Sequence, residues 1–303
     1  MLYKEWLEIW LNNYIRTSCK QKTYVMYKQI ATQRVIPSLG DRNLEKITPQ
    51  AIQQFVTELM IPKEGCKPLS VNTINLTISV IQSSLKTAFI LGYIKSYEAN
   101  KISRPKIVEK KVECFSVLEQ KRIENEVMKS EKIKLYGIVI CMYTGLRLGE
   151  LLALRWDNVD MANCQLSVEN TCYYVHGERV IDTPKTSNSI RTIPFPKQLL
   201  PLFKALYKSR KTPFVIEANG KPLSIRSYQR SFELLLNKIH VQHKGFHSLR
   251  HTFATRALEC GMDVKTLSEL LGHKNPNITL KRYAHSMLEY KVQMMNKLGK
   301  MFA

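Results

Sequence analysis

The 303-residue chain has seven cysteines, at 19, 66, 114, 141, 164, 172 and 260, but no C-x-x-C pair. An odd, scattered set suggests neither a disulfide framework nor a cysteine zinc knot and points to a reducing, cytoplasmic setting. Long apolar runs are absent too: the longest, Leu135 to Met142, falls well short of the roughly 20 residues a membrane helix needs. The N-terminus carries acidic residues and tryptophans and lacks a signal-peptide apolar core. No G-x-x-x-x-G-K-[ST] loop occurs, so no nucleotide cofactor is expected. His247 and His251 share one helical face at i, i+4, a spacing that can hold a metal. The glutamate of H-E-x-x-H is missing, position 250 is arginine, and no ligand-spaced acid or cysteine cluster accompanies the pair, so no metal is expected. The chain also has no internal repeat and no low-complexity tract.

Negative charge is scarce. Only 25 Asp and Glu stand against 46 Lys and Arg, a formal net charge of +21, which makes a polyanion the first candidate partner. Residues 1–105 hold 14 basic and seven acidic side chains and the remainder 32 and 18, so both halves are basic. A basic tail on a neutral enzyme would look different; a wrapped duplex touching the whole chain fits. The 44% apolar content is enough for two buried cores.

Tyr3, Trp6, Leu7, Trp10, Leu11 and Tyr14 recur at helical spacing and predict an opening amphipathic helix whose aromatic stripe is core rather than a base-stacking surface. A second helix is predicted from about Lys22 to Val35, closed by Pro37 and Gly40, with Tyr24, Tyr27 and Ile30 on its apolar stripe. Thr48 and Pro49 read as N-cap and first-turn proline of a third, bearing Ile52, Phe55, Val56 and Leu59. Ser70 caps a fourth, with Ile74, Ile78, Ile81, Leu85 and Phe89 along one face. These predict an all-helical domain over 1–100. The charged, proline-containing KISRPKIVEKKV at 101–112 reads as a linker. Ser116 and Glu119 form a capping box that opens a second domain, 113–286, with a further helix from about Ile133 to Tyr143. The β-prone runs between Cys164 and Phe195 predict a small antiparallel sheet, helices return beyond Pro196, and Asn219-Gly220 marks a turn. The expected fold is mainly α, with a mixed α+β second domain.

Four segments place cations or imidazoles beside turns: TGLRLGELLALRW at 144–156, TPKTSNSIRTIPF at 183–195, HSLRHTFAT at 247–255 and LLGHKNPNITLKRYAH at 270–285. In order and interval they resemble the signature blocks of the tyrosine recombinases, the family of phage and transposon integrases. Residues 22–55 and 69–89 are more loosely similar to that family's core-binding domain. The resemblance implies a SAM-like four-helix core-binding domain, a catalytic domain with no metal or cofactor, and a catalytic set of Arg147, Lys185, His247, Arg250, His273 and Tyr283. It implies site-specific cutting and rejoining of duplex DNA through a 3′-phosphotyrosine at Tyr283, in the nucleoid. Larger relatives carry a further domain for accessory arm sites; this chain starts almost at the core-binding helices, and arm-type binding is not expected of it.

The chemistry suits such residues. In-line attack on a phosphodiester builds charge on the non-bridging oxygens, which paired guanidinium donors such as Arg147 and Arg250 match. A simple salt bridge from Arg147 to Glu150 is the structural alternative. Tyr283, a phenol of ordinary pKa near 10, needs proton removal, for which His247, His273 or a polarised water could serve. Lys185 would protonate the leaving 5′ alkoxide or only contact phosphate. By the family resemblance, His273 would donate to a non-bridging oxygen, and His247 would do likewise or act in proton transfer. The expected DNA-contacting residues are Lys20, Lys22, Thr23, Lys28, Arg34, Asn72, Thr73 and Asn75 in the first domain and Arg155, Arg191, Arg226, Arg230, Ser248 and Lys281 in the second. Residues 287–303 present Leu288, Val292, Met295 and Leu298 at helical spacing, a stripe that relatives pass to the next protomer in a synaptic tetramer; packing on its own core is the alternative. An accessory directionality factor stays open as a partner. The other functional readings are a catalytically silent DNA-binding regulator of the same fold and a type IB topoisomerase.

Overall fold

The chain divides into two units, Met1–Lys110 and Lys111–Ala303. The structure, a computed structural model, describes residues 1–62, 68–108, 112–175, 177–183, 190–273 and 275–283, together with 292, 295, 296 and 298–301.

In the first unit the aromatic stripe is core. Helix α1, residues 3–18, buries Tyr3, Trp6, Leu7 and Trp10 completely, and each polar tip finds a partner on a distant helix. The Tyr3 hydroxyl meets Ser84 Oγ at 2.7 Å, and the Trp6 and Trp10 indole N–H groups donate to the Ser84 carbonyl and Thr87 Oγ1, both at 3.1 Å. A buried indole N–H needs such an acceptor, so the pattern fixes how α1 lies on α4, Val71–Ile90. Helix α2, residues 21–39, departs from expectation by running through Pro37 to Leu39. Its Ala31–Val35 stretch is π-helical, with the Ile36 N–H donating to the Ala31 carbonyl; the wider turn eases the clash a proline ring makes with the preceding turn. Thr48 caps α3, Pro49–Met60, and Ser70 caps α4, as read from the sequence. The α4 stripe ends a turn early: Ile74 to Leu85 are buried, but Phe89 is 44% exposed.

In the second unit the Ser116–Glu119 box opens α5, Val117–Lys129, with both reciprocal bonds formed. Helix α6, Tyr136–Thr144, is nearly all buried and stops at Gly145 in the left-handed region; α7, Leu148–Ala153, follows at once. The β-prone stretch forms two separate pairings rather than one sheet. Strands β1, Val159–Asp160, β2, Gln165–Val168, and β5, Arg191–Pro194, make an antiparallel three-strander, while β3, Thr171–Val175, and β4, Glu178–Asp182, make a hairpin. After α8, Leu200–Lys208, the short β6 and β7, Glu217–Ala218 and Lys221–Pro222, close over Asn219-Gly220, both at positive φ as a tight hairpin turn demands. Helices α9, Ile225–Lys238, α10, His247–Glu259, α11, Val264–Leu271, and α12, Pro276–Tyr283, complete the unit, with α10 lying against α6. In the tail, Val292, Met295 and Leu298 are exposed; Leu288 lies outside the described residues.

Candidate active site

Two helix ends build the cationic centre. Gly145, at φ 65°, turns the chain out of α6 so that Arg147 falls at the N-cap of α7, half exposed. Gly272, at φ 63°, ends α11, its N–H donating to the Glu269 carbonyl and that of His273 to the Ser268 carbonyl. The free carbonyls at these ends, which carry the negative pole of each helix, collect arginines. Arg250, only 2% exposed, donates to the Gly145 carbonyl at 2.8 Å and the Leu271 carbonyl at 2.5 Å, and its Nη2 lies 3.0 Å from His273 Nε2. Arg191 donates through Nε to the Leu270 carbonyl at 2.6 Å.

Glu150 holds the set together. Its buried carboxylate accepts from the Arg147 N–H at 2.9 Å, from Arg147 Nη1 at 2.6 Å and from Arg191 Nη2 at 2.9 Å. Burial alone would raise this carboxyl, but Arg191, Arg147 and Arg250 overcome it and hold it at about 2. Burial, then the neighbouring charge of Arg147, pulls Arg250 down to about 9, with Glu150 opposing; Arg250 stays cationic at neutral pH.

Because a guanidinium only donates, His273 Nε2 accepts from Arg250 and the ring hydrogen belongs on Nδ1, 2.7 Å from Oγ1 of the fully buried Thr279. Tyr283 comes from α12, 2% exposed, its ring packed among Ala254, Ala257, Leu258, Leu267 and Leu271. Its hydroxyl lies 2.7 Å from His251 Nδ1, and the His251 ring meets that of His247 edge-on, with centroids 4.7 Å apart.

The sequence-predicted residues therefore fall into two groups. Arg250 touches His273 directly, and Arg147 joins them through Glu150, whose charge acts on both arginines. His247 and Tyr283 sit on either side of His251. Lys185 lies outside the described residues. The salt bridge weighed as an alternative for Arg147 is present, within the cluster. Sequence reasoning missed three features. Glu150 entered only as that alternative partner, although its N3 spacing from Arg147 is the capping-box signal. His251 reads in the sequence only as a metal-ligand candidate. Arg191, expected on the DNA face, has a side chain 6% exposed that pairs with Glu150 and donates to the Leu270 carbonyl, partners the sequence did not announce.

Among the other DNA-contact candidates, Lys22, Lys28, Asn72, Arg226 and Arg230 are exposed, and Lys20, Thr23, Arg34 and Arg155 are half-buried. Several have intramolecular settings that the sequence did not announce: among them, the Thr73 hydroxyl bonds Ser70 Oγ at 2.8 Å, the Asn75 amide donates to the Pro105 carbonyl at 3.0 Å, Arg155 and Arg230 reach Asp157 and Glu233 at 3.5 Å, and Ser248 is 5% exposed. The Lys281 side chain lies outside what is described. Among the described residues no cluster of three His, Cys, Asp or Glu could hold a metal, and no helix is long and apolar enough to cross a membrane.

Compared with known families, residues 116–289 match the Phage integrase family and residues 2–60 the phage integrase N-terminal SAM-like domain. The chain belongs to the phage integrase family. The protein is a DNA recombinase of the site-specific kind. It is 29% identical to the "Tyrosine recombinase XerC-like" protein of Caldanaerobacter subterraneus subsp. tengcongensis, over 98% of this chain and 82% of that one. In fold, the recombinase resembles the Tn1549 transposon integrase in complex with a circular intermediate DNA, with TM-score 0.80, 24% identity, and coverage of 98% of this chain and 99% of that one. It also resembles a lambda integrase tetramer bound to a Holliday junction, with TM-score 0.68, 20% identity, and coverage of 91% and 78%.

Proposed function

We propose that this recombinase breaks duplex DNA by attack of Tyr283 on a phosphodiester, holding the 3′ end as a phosphotyrosine until a 5′ hydroxyl from a partner strand displaces it. The observation that carries the reading is the convergence of Arg250, His273 and, through Glu150, Arg147 in the same unit as a tyrosine whose hydroxyl already has an imidazole at 2.7 Å. Arg147, the most accessible of the arginines at the site, meets the phosphate first. Arg250, fixed by two carbonyls, presents its charge without reorganising, which is where such donors are worth most in a transition state. A phosphate oxygen arriving between Arg250 and His273 would favour a proton on His273 Nε2, turning that acceptor into a donor. Lys185 is assigned to the leaving oxygen. The reaction stores bond energy in the ester and uses no cofactor.

The partner is double-stranded DNA gripped by both basic units, and strand exchange takes place in a tetramer in which the tail, 287–303, docks on the neighbouring protomer. The exposure of Val292, Met295 and Leu298 supports that assignment. The reading is tested by mixing wild type and Tyr283→Phe with genomic DNA of the source organism, denaturing, and sequencing what stays attached to protein. A tyrosine-dependent adduct at a defined site is expected. Tight, salt-sensitive binding without any adduct would instead make the protein a silent DNA-binding regulator, and supercoil relaxation without synapsis a topoisomerase.

A further inference from the structure

We infer that His251 is a catalytic residue of this reaction: the base that receives the Tyr283 proton as the phosphotyrosine forms. The inference rests on the assignment of Tyr283 as nucleophile. The tyrosine hydroxyl and His251 Nδ1 are 2.7 Å apart, direct hydrogen-bond distance for a base and the proton it abstracts. His247 and His273 are the histidines the family resemblance offers. His273 Nε2 is already engaged by Arg250 and its Nδ1 by Thr279, and the His247 ring meets His251 edge-on.

The helical register explains the placement. His247 and His251 stand one turn apart on α10, so both imidazoles share a face, with His247 exposed at the helix start and His251 a turn deeper. Tyr283, packed between α10 and α11 by Leu258, Leu267 and Leu271, can present its hydroxyl to His251 because the apolar cluster fixes the ring. Arg250, next to His251 in sequence, faces Gly145 and His273 instead. Among the described residues, His247 on the same helix and Tyr283 from α12 are ionisable neighbours of His251. Arg250, His273, Arg191, Glu150 and Arg147 are among the charged or ionisable groups at this end of α10 and α11.

The step balances. The Tyr283 O–H proton passes to His251 Nδ1, the tyrosine oxygen forms a bond to phosphorus, and the phosphorus–O5′ bond breaks. The 5′ oxygen leaves with a proton from the acid opposite, assigned to Lys185. In the reverse direction the imidazolium returns the proton to Tyr283 as a 5′ hydroxyl displaces it.

The test is the initial rate of covalent adduct formation on sheared genomic DNA of the source organism, measured from pH 5 to 9. In wild type the rate should rise with pH as His251 loses its proton and then level off. His251→Asn keeps a hydrogen-bonding atom near the Nδ1 position but cannot take a proton. It should form adducts about 100-fold more slowly and lose the acid limb. His247→Asn should slow the reaction yet keep the limb. A Tyr283-dependent adduct formed by His251→Asn at the wild-type rate, with the wild-type pH profile, would overturn the inference. A flat wild-type profile would do the same without any variant, so a misfolded substitution cannot shield it. Absence of any Tyr283-dependent adduct in wild type would overturn the assignment of the nucleophile instead.

Discussion

Arg250 holds partners that a lysine cannot hold together, because one planar guanidinium reaches the Gly145 carbonyl, the Leu271 carbonyl and His273 at once. Arg250→Lys should therefore fold but form covalent adduct 100- to 1,000-fold more slowly, about 2.7–4 kcal/mol of barrier, as read from single-turnover rates beside a thermal melt. Glu150 acts on stability instead. Its folded pKa lies below the unfolded value, so its contribution is fully present above the unfolded carboxylate range and is lost as pH falls from about 4.5 toward about 2. Glu150→Gln leaves Arg191 buried against a neutral amide and should lose about 3–5 kcal/mol in denaturant unfolding at pH 7. Its stability should also fall less steeply than wild type between pH 5 and 2, and an equally steep loss would deny Glu150 this role.

At the scale of the element, the helix ends decide the site. Gly145 has positive φ, and a Cβ there would stand 2.6 Å from Phe253 Cδ1. Gly145→Ala should lower stability by about 1–2 kcal/mol from the backbone term alone, with more from displacing Phe253, and should slow cleavage by moving the Gly145 carbonyl that holds Arg250. A thermal melt unchanged by this substitution would contradict the assignment. Most such elements were legible in the sequence: the Ser116–Glu119 box, the Thr48 and Ser70 caps, the Asn219-Gly220 turn and the aromatic stripe of α1 each follow local rules that tertiary structure left intact. What was illegible depended on distant partners. Nothing local to Arg191 announces that Glu150, 41 residues earlier, takes its charge, or that a carbonyl at the end of α11 takes its Nε. His251 was visible as a face-sharing partner of His247, but its pairing with Tyr283, 32 residues on, belongs to the packing of α10 against α12. The π-helical stretch of α2 is likewise unannounced, since one wide turn leaves no periodic signal over so short a run.

For the whole molecule, the charge of +21 spread over both units predicts that binding to duplex DNA weakens steeply with salt. Replacing the exposed Lys22 and Lys28 together by Gln should reduce the slope of log K against log salt by about 0.9 for each phosphate no longer neutralised, leaving the thermal melt within about 0.5 kcal/mol of wild type. An unchanged slope, measured by fluorescence anisotropy, would remove these lysines from the DNA surface. Truncation after residue 286 should leave cleavage on single sites intact while abolishing strand exchange between two sites. Exchange at the wild-type rate would mean that the exposed tail residues play no part in assembly.

The proposed reaction joins Tyr283 to DNA. The most direct measurement is mass spectrometry of the covalent adduct after nuclease and protease digestion, to locate the nucleotide-bearing residue. The nucleotide should be found on Tyr283, through a 3′ phosphate; attachment at any of the other 13 tyrosines, at a serine, or through a 5′ phosphate would contradict the proposed chemistry.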